Sequence, residues 1–263
     1  MVIERPSLRG RARQAARASG FIGLTAAMLP PFLARMATIA AADRAVVRDA
    51  WVGRWARALL RLFAIDVVIE GAIPTKTQGR GRGRLVVTNH RSAIDIGVVL
   101  STFGGTMVSR ADLATWPVIG AAARAVGTVF VDRSSAKSGA ATIRSIQKLL
   151  EEGETINLFP EGTTFDGDEV RPFHGGAFVS AVRAEAEILP IGIAYPKSSG
   201  AAFFDETFPQ HLSRMARSSR TRMVVSVGTP FIARRADRAT DITKRAHAEV
   251  AALVVRARDR CGP

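Results

Sequence analysis

The sequence predicts an α/β fold, a largely parallel central sheet flanked by helices, with an N-terminal membrane-associating helical segment in front of it. Three observations lead there. Short aliphatic runs that mostly do not alternate with polar residues recur along the chain, as strands covered on both faces do. Stretches with helical spacing separate them, the order that builds a parallel sheet from strand and helix units. One hydrophobic segment, interrupted by proline and arginine, precedes them all.

That first segment reads F-I-G-L-T-A-A-M-L-P-P-F-L over residues 21–33, with Arg35 and a second apolar stretch reaching Ala42. A bilayer-crossing helix needs about 20 apolar residues in a row. Pro30, Pro31 and Arg35 break the run where lost hydrogen bonds and charge cost most. The expectation is two short helices hinged at the prolines and lying in the membrane interface, with Arg5, Arg9, Arg11, Arg13 and Arg17 toward lipid phosphates. A secretory signal, with Ala40, Ala41 and Ala42 as its small residues, and a helix packed on the protein's own core are the alternatives. Trp51, Trp55, Ala58, Leu59 and Leu62 continue in helical spacing, so residues 1–62 form the membrane-associating part and 63–263 the second domain.

Strands are expected at 67–70, 85–88, 128–131, 156–159, 189–194 and 223–227, and helices at 93–102, 116–125, 136–152, 176–185 and 240–259. Gly79 to Arg84, G-R-G-R-G-R, reads as a solvated connection, since it lacks the order and the Lys-Ser ending of a phosphate loop.

At 263 residues the chain can bury a core of its own. Hydrophobic residues at 47% and charged residues at 23% exclude a disordered tail, a collagen or a polytopic membrane protein. The single Cys261 excludes an internal disulfide and a cysteine-based metal cluster. Lys and Arg number 37 against 23 Asp and Glu, a net charge of +14 that attracts polyanions or an anionic membrane unless it is simply a solvated surface. Only 6% of the residues are aromatic and none interleave with basic ones, which argues against nucleic acid.

Polar residues cluster where two strands end. Residues 85–88 run into Asn89-His90-Arg91-Ser92-Ala93-Ile94-Asp95. In open α/β sheets ligands collect outside the carboxyl ends of strands. There His90 can take a proton from a hydroxyl while Asp95 orients the imidazole. The competing reading is a capping box of Ser92 and Asp95 that only starts a helix. The second cluster is Phe159-Pro160-Glu161-Gly162-Thr163-Thr164. Glu161 at a strand end needs a partner, and Arg133, at the end of G-T-V-F-V-D-R, is the cation expected to supply it.

Taken in order, N-H-x4-D at His90 and Asp95, G-T-V-F-V-D-R ending at Arg133, F-P-E-G-T at Phe159 to Thr163 and I-L-P-I-G-I at Ile188 to Ile193 resemble the four blocks of the glycerolipid acyltransferase superfamily. The resemblance spans about residues 67–228 and is strongest to bacterial 1-acylglycerol-3-phosphate acyltransferases. It implies acyl transfer from acyl carrier protein or CoA to the hydroxyl of a lysolipid, most simply 1-acylglycerol 3-phosphate. No metal, cofactor or covalent enzyme intermediate is implied. It also implies His90 as general base, Asp95 as its orienting partner, and Arg133, Glu161, Gly162 and Thr163 at the acceptor site. The enzyme would work at the cytoplasmic face of the cell membrane. Two features depart from phosphate-acceptor members, where Arg follows F-P-E-G-T and Lys soon follows the next Phe. Those places hold Thr164 and, after Phe173, His174-Gly175-Gly176. Arg171 or the amides near Gly175 are the available substitutes, and relatives acting on lyso-ornithine lipid offer a second acceptor class.

Overall fold

The computed structural model describes residues 7–75, 82–132, 136–165, 167, 169–203 and 206–261. Strands β1 (Ile65–Glu70), β2 (Arg84–Thr88), β3 (Thr106–Arg110), β4 (Val129–Val131), β5 (Thr155–Leu158), β6 (Glu187–Ala194), β7 (Thr221–Val227) and β8 (Phe231–Ile232) form one sheet. Its order is β1-β7-β6-β2-β5-β3-β4, with β8 beside β6. Neighbours are parallel except that β6 runs antiparallel to β7 and β8.

Both faces are apolar because successive side chains point opposite ways and both sets are aliphatic. Val86, Leu189, Ile191 and Val225 pack beneath α2 (Arg44–Leu62) and α3 (Ile94–Phe103). Leu85, Val87, Ile156 and Ile188 pack beneath α5 (Ala136–Glu151), α6 (Gly176–Arg183) and α8 (Ala239–Cys261). The last helix lies so close to β6 that a Cβ added at Gly192 would meet Leu253 backbone at 2.3 Å.

Four expectations give way. The N-terminal segment is one continuous helix, α1 (Leu8–Thr38), rather than two hinged at Pro30 and Pro31. Both prolines are exposed, as are Ala26 and Ala27, whose carbonyls lose their helical partners where other donors can reach them. The helix expected at 116–125 is α4 (Ile119–Ala125) after a 3₁₀ turn at Ala111–Thr115, because Pro117 and Val118, at φ 61°, interrupt it. Arg84 is buried against Glu187 instead of solvated, while residues 76–81 of the glycine-arginine loop lie outside the described residues. A further helix, α7 (Phe208–Arg217), and strands β3 and β8 were not expected.

The topology fixes where a site can form. Strands β2 and β5 are parallel neighbours, so both end at the same edge of the sheet. The chain leaves β2 into α3 on one face and β5 toward α6 on the other. Such a divergence between adjacent strands opens a crevice at their carboxyl ends.

Candidate active site

The loop after β2 is held by side chains on every side. Asn89 closes a two-way hydrogen-bonded pair with β6: its Nδ2 donates to the Ile193 carbonyl at 2.9 Å and its Oδ1 accepts from Ile193 N at 2.8 Å. Next comes His90, whose Nδ1 lies 2.9 Å from Asp95 Oδ2. The same carboxylate oxygen accepts from Arg91 N at 2.7 Å and Ser92 N at 2.9 Å. Asp95 is fully buried, in the first turn of α3. One oxygen thus meets both the imidazole and the Ser92 amide, half of the expected capping box, while the helix itself starts at Ala93 with no side-chain cap. Because Oδ2 already acts as the acceptor for two backbone amides, Nδ1 donates to it, which leaves the lone pair of a neutral ring on Nε2.

The loop after β5 supplies the floor. Phe159 stacks on the His90 ring at 3.9 Å between centroids and 12° between planes. Glu161 has no exposed side-chain surface. Its oxygens accept from His90 N at 2.8 Å, Arg91 Nη1 at 2.9 and 3.0 Å, and Arg171 N at 2.8 Å. Among the described residues the cation paired with Glu161 is Arg91; Arg133, the cation expected there, lies outside them. The reason is proximity: Arg91 sits at the end of the strand next to β5, one residue from the imidazole. Arg91 also donates to the carbonyls of His90 (2.8 Å), Gly167 (2.7 Å) and Glu169, tying the two loops into one unit. Gly162, at φ 81°, turns the chain out of this buried pair, and Gly162, Thr163 and Thr164 reach the cavity wall.

That cavity has a volume of about 840 Å³ and is lined mainly by apolar residues. His90 stands in its wall with only 16% of the side chain exposed. Phe21, Thr25, Met28 and Phe32 of α1, with Trp51 and Trp55 of α2, close one side, where Trp55 Nε1 donates to Thr25 Oγ1 at 3.0 Å. Trp116 and Phe208 close another, their rings meeting edge to face at 5.0 Å. The charged residues in the wall, among those described, are Arg110, Asp112 and Glu206, with Arg110 Nε 3.0 Å from Asp112 Oδ1. Thr164 lines the cavity and His174 is exposed, so neither expected cation has a replacement at its own position.

Two participants escaped the sequence reading. Arg91 is adjacent to His90 and was the cation that a buried glutamate one strand away required. His211, on α7, contacts the Ser92 hydroxyl at 3.0 Å from 119 residues away, and only its strand-loop-helix neighbourhood could have marked it.

Comparison with known proteins agrees with this architecture. The sequence model of the acyltransferase family matches residues 65–194. A lyso-ornithine lipid O-acyltransferase of Pseudomonas aeruginosa is 29% identical over 203 residues, covering 75% of this chain and 76% of that one. A 1-acyl-sn-glycerol-3-phosphate acyltransferase of Neisseria gonorrhoeae is 30% identical over 139 residues, 53% of this chain and 54% of that one. The crystal structure of the 1-acyl-sn-glycerophosphate acyltransferase PlsC from Thermotoga maritima superposes with a TM-score of 0.71 at 19% identity, over 95% of this chain and 97% of that one. With the His90–Asp95 and Phe159–Thr163 motifs at one sheet edge, and with a lyso-ornithine lipid O-acyltransferase of Brucella abortus 32% identical over 70% of this chain and 77% of that one, this chain belongs to the acyltransferase family, as a glycerolipid acyltransferase.

Proposed function

We propose that the protein transfers a fatty acyl group from a thioester, acyl carrier protein or CoA, to the free hydroxyl of a lysolipid, with His90 as general base. One observation carries this reading: a carboxylate-held imidazole in the wall of an 840 Å³ apolar cavity, where a base can meet a hydroxyl at the end of a lipid chain. His90 Nε2 takes the hydroxyl proton as the oxygen attacks the thioester carbonyl. The C–S bond then breaks, and the imidazolium returns its proton to the departing sulfur. Asp95 stabilises the imidazolium, and holding base and alcohol together supplies much of the rate. No covalent intermediate on the protein is needed, because a thioester is already an activated acyl donor. Gly162 and Thr163 line the acceptor side, with Arg133 assigned to the same site from its motif alone.

For the acceptor, lyso-ornithine lipid is favoured over 1-acylglycerol 3-phosphate. The match to a lyso-ornithine lipid acyltransferase runs over three quarters of both chains, against about half for the phosphate-acceptor relative. Thr164 and His174 stand where cations meet a phosphate, and the charges in the cavity wall pair Arg110 with Asp112, suited to a head group with both an amine and a carboxylate. In this reading α1 lies in the membrane interface and the cavity opens toward the cytoplasmic face; the length and apolar composition of α1 support it.

The test offers one labelled acyl-CoA to the purified protein with a panel of lysolipids. Transfer should be fastest to lyso-ornithine lipid. Faster transfer to lysophosphatidic acid would reverse the acceptor assignment. His90→Ala should lower turnover by about 10² to 10⁴ on any acceptor. Full activity in that variant would end the reading.

A further inference from the structure

The loop that carries His90 has a second support, from α7 and the segment before it, part of which (Phe203, Glu206 and Phe208) also lines the cavity. His211 lies on α7 and has no exposed surface. Its Nε2 is 3.0 Å from Ser92 Oγ and 3.3 Å from Ala93 N. A backbone N–H can only donate, so Nε2 carries a lone pair and the Ser92 hydroxyl donates to it as well. The ring proton is then on Nδ1, 2.9 Å from Glu206 Oε1; Arg214 Nη2 lies 3.1 Å from Nδ1 but spends its two hydrogens on Glu206 Oε1 at 2.5 Å and the Ala202 carbonyl at 2.7 Å. Phe203 stacks on the other face of the ring at 3.8 Å and 8°, and its N–H donates to the Arg91 carbonyl at 2.7 Å.

These contacts reach Arg91, Ser92 and Ala93, the residues between His90 and the start of α3. Asp95 and Glu161 hold the loop from α3 and from the β5 loop; His211 and Phe203 hold it from α7 and the segment before it. Neither His211 nor Ser92 belongs to the cavity wall, so neither meets substrate. The Ala93 amide is one of the helix-start donors that no helical carbonyl can satisfy. A neutral imidazole with no exposed surface satisfies it, together with the buried Ser92 hydroxyl.

We propose that His211 is a positioning residue for acyl transfer: as a neutral double acceptor it fixes the loop that carries His90 and the helix start that carries Asp95. The inference rests on the reading of His90 as base. The groups facing His211 are Glu206 before α7, Arg214 on α7 and Asp95 on α3. Burial chiefly, and Arg214 besides, lower its affinity for a second proton against the pull of Glu206 and Asp95, which keeps Nε2 an acceptor.

The experiment measures kcat and KM with labelled palmitoyl-CoA and lyso-ornithine lipid or lysophosphatidic acid, whichever the full-length wild type turns over faster. His211→Phe keeps the volume and the stack on Phe203 but removes the acceptor. It should lower kcat by about 10- to 100-fold with KM within about twofold, the cost of a small displacement of reacting groups. His211→Gln restores a side-chain carbonyl near the Nε2 position and should hold kcat within about threefold of wild type. Wild-type kcat in His211→Phe, or a Gln variant no better than Phe, overturns the proposal. If both variants misfold, Ser92→Ala cuts the same contact from the loop side and should lower kcat by about 5- to 30-fold. Unchanged kcat there overturns it too. His90→Ala runs alongside: an active His90→Ala removes the base assignment itself, whereas an inactive one with a normal His211→Phe removes only the positioning role.

Discussion

Asp95 shows how much one buried oxygen can be asked to do. Its Oδ2 accepts from His90 Nδ1 and two backbone amides, while Oδ1 is buried with no hydrogen-bond partner among the described residues. Asp95→Asn should therefore seat its carbonyl at the Oδ2 position and its amide group at the empty one, keeping the geometry and removing the charge. Turnover should fall by about 10² to 10⁴ while the fold survives, because the imidazolium loses its counter-charge. Steady-state kinetics beside circular dichroism checks this; a fall below tenfold would give Asp95 a capping role alone. Glu161 predicts the opposite pattern. Glu161→Ala leaves the Arg91 guanidinium buried with its carboxylate gone, a loss of about 3 to 5 kcal/mol measurable by urea unfolding. A loss under 1 kcal/mol would mean that the carbonyls of His90, Gly167 and Glu169 satisfy Arg91 unaided.

Among the elements, α7 ties function to pH. Burial alone would raise the Glu206 carboxyl, but hydrogen bonds from Arg214 and His211 outweigh it and hold it at about 2, below its ordinary 4.5. A carboxyl depressed in this way stabilises the fold fully above its unfolded value and loses that contribution as the pH falls toward 2. His211, lowered from 6.5 chiefly by burial, takes up its proton more readily when unfolded, so stability also drops below pH 6.5. Both act in one direction: the thermal midpoint should fall by about 4 °C or more between pH 7 and pH 4. The part between pH 7 and pH 5 should shrink in His211→Phe; an equal fall in that variant would assign it to other groups. This helix also marks the limit of what the sequence tells. The strands were legible because their residues are aliphatic on both faces, and the His90–Asp95 and Phe159–Thr163 motifs foretold which two loops meet at the sheet edge. Helix α7 was not, although Thr207 and Gln210 form a capping box at its start, because only His211, Met215 and Ala216 are buried in its ten residues. The Arg91–Glu161 pair was illegible for another reason: strand order, which makes β2 and β5 neighbours, is a property of the sheet rather than of either segment. Pro30 and Pro31 misled because the cost of a proline depends on where its unpaired carbonyls point.

At the scale of the molecule, α1 connects the cavity to its surroundings. Phe21, Thr25, Met28, Leu29 and Phe32 form one helical stripe along the cavity wall, and the buried Arg17 donates to the Ala216 and Ser218 carbonyls at the end of α7. The helix that lines the cavity is thus also bonded to the helix that supports the His90 loop. Its other side carries Ile22 and Leu33, 55% and 49% exposed, and α2 adds Val46 at 71%. By length and composition α1 could cross a bilayer, yet its inward stripe is already committed to the protein. An interfacial helix with apolar residues outward and arginines at its start accounts for both facts. Replacing both outward residues, Ile22→Asp with Leu33→Asp, removes apolar contact with lipid and adds charge opposed to an anionic surface. Partitioning onto phosphatidylglycerol vesicles, followed by sedimentation, should drop by about 10²-fold or more, since each buried aliphatic side chain contributes up to about 1.5 to 3 kcal/mol. Turnover of detergent-dispersed substrate should stay within about twofold, because neither residue lines the cavity. Undiminished vesicle binding would place the membrane contact elsewhere on the strongly basic surface, and lost turnover in detergent would make the outward face part of the catalytic unit.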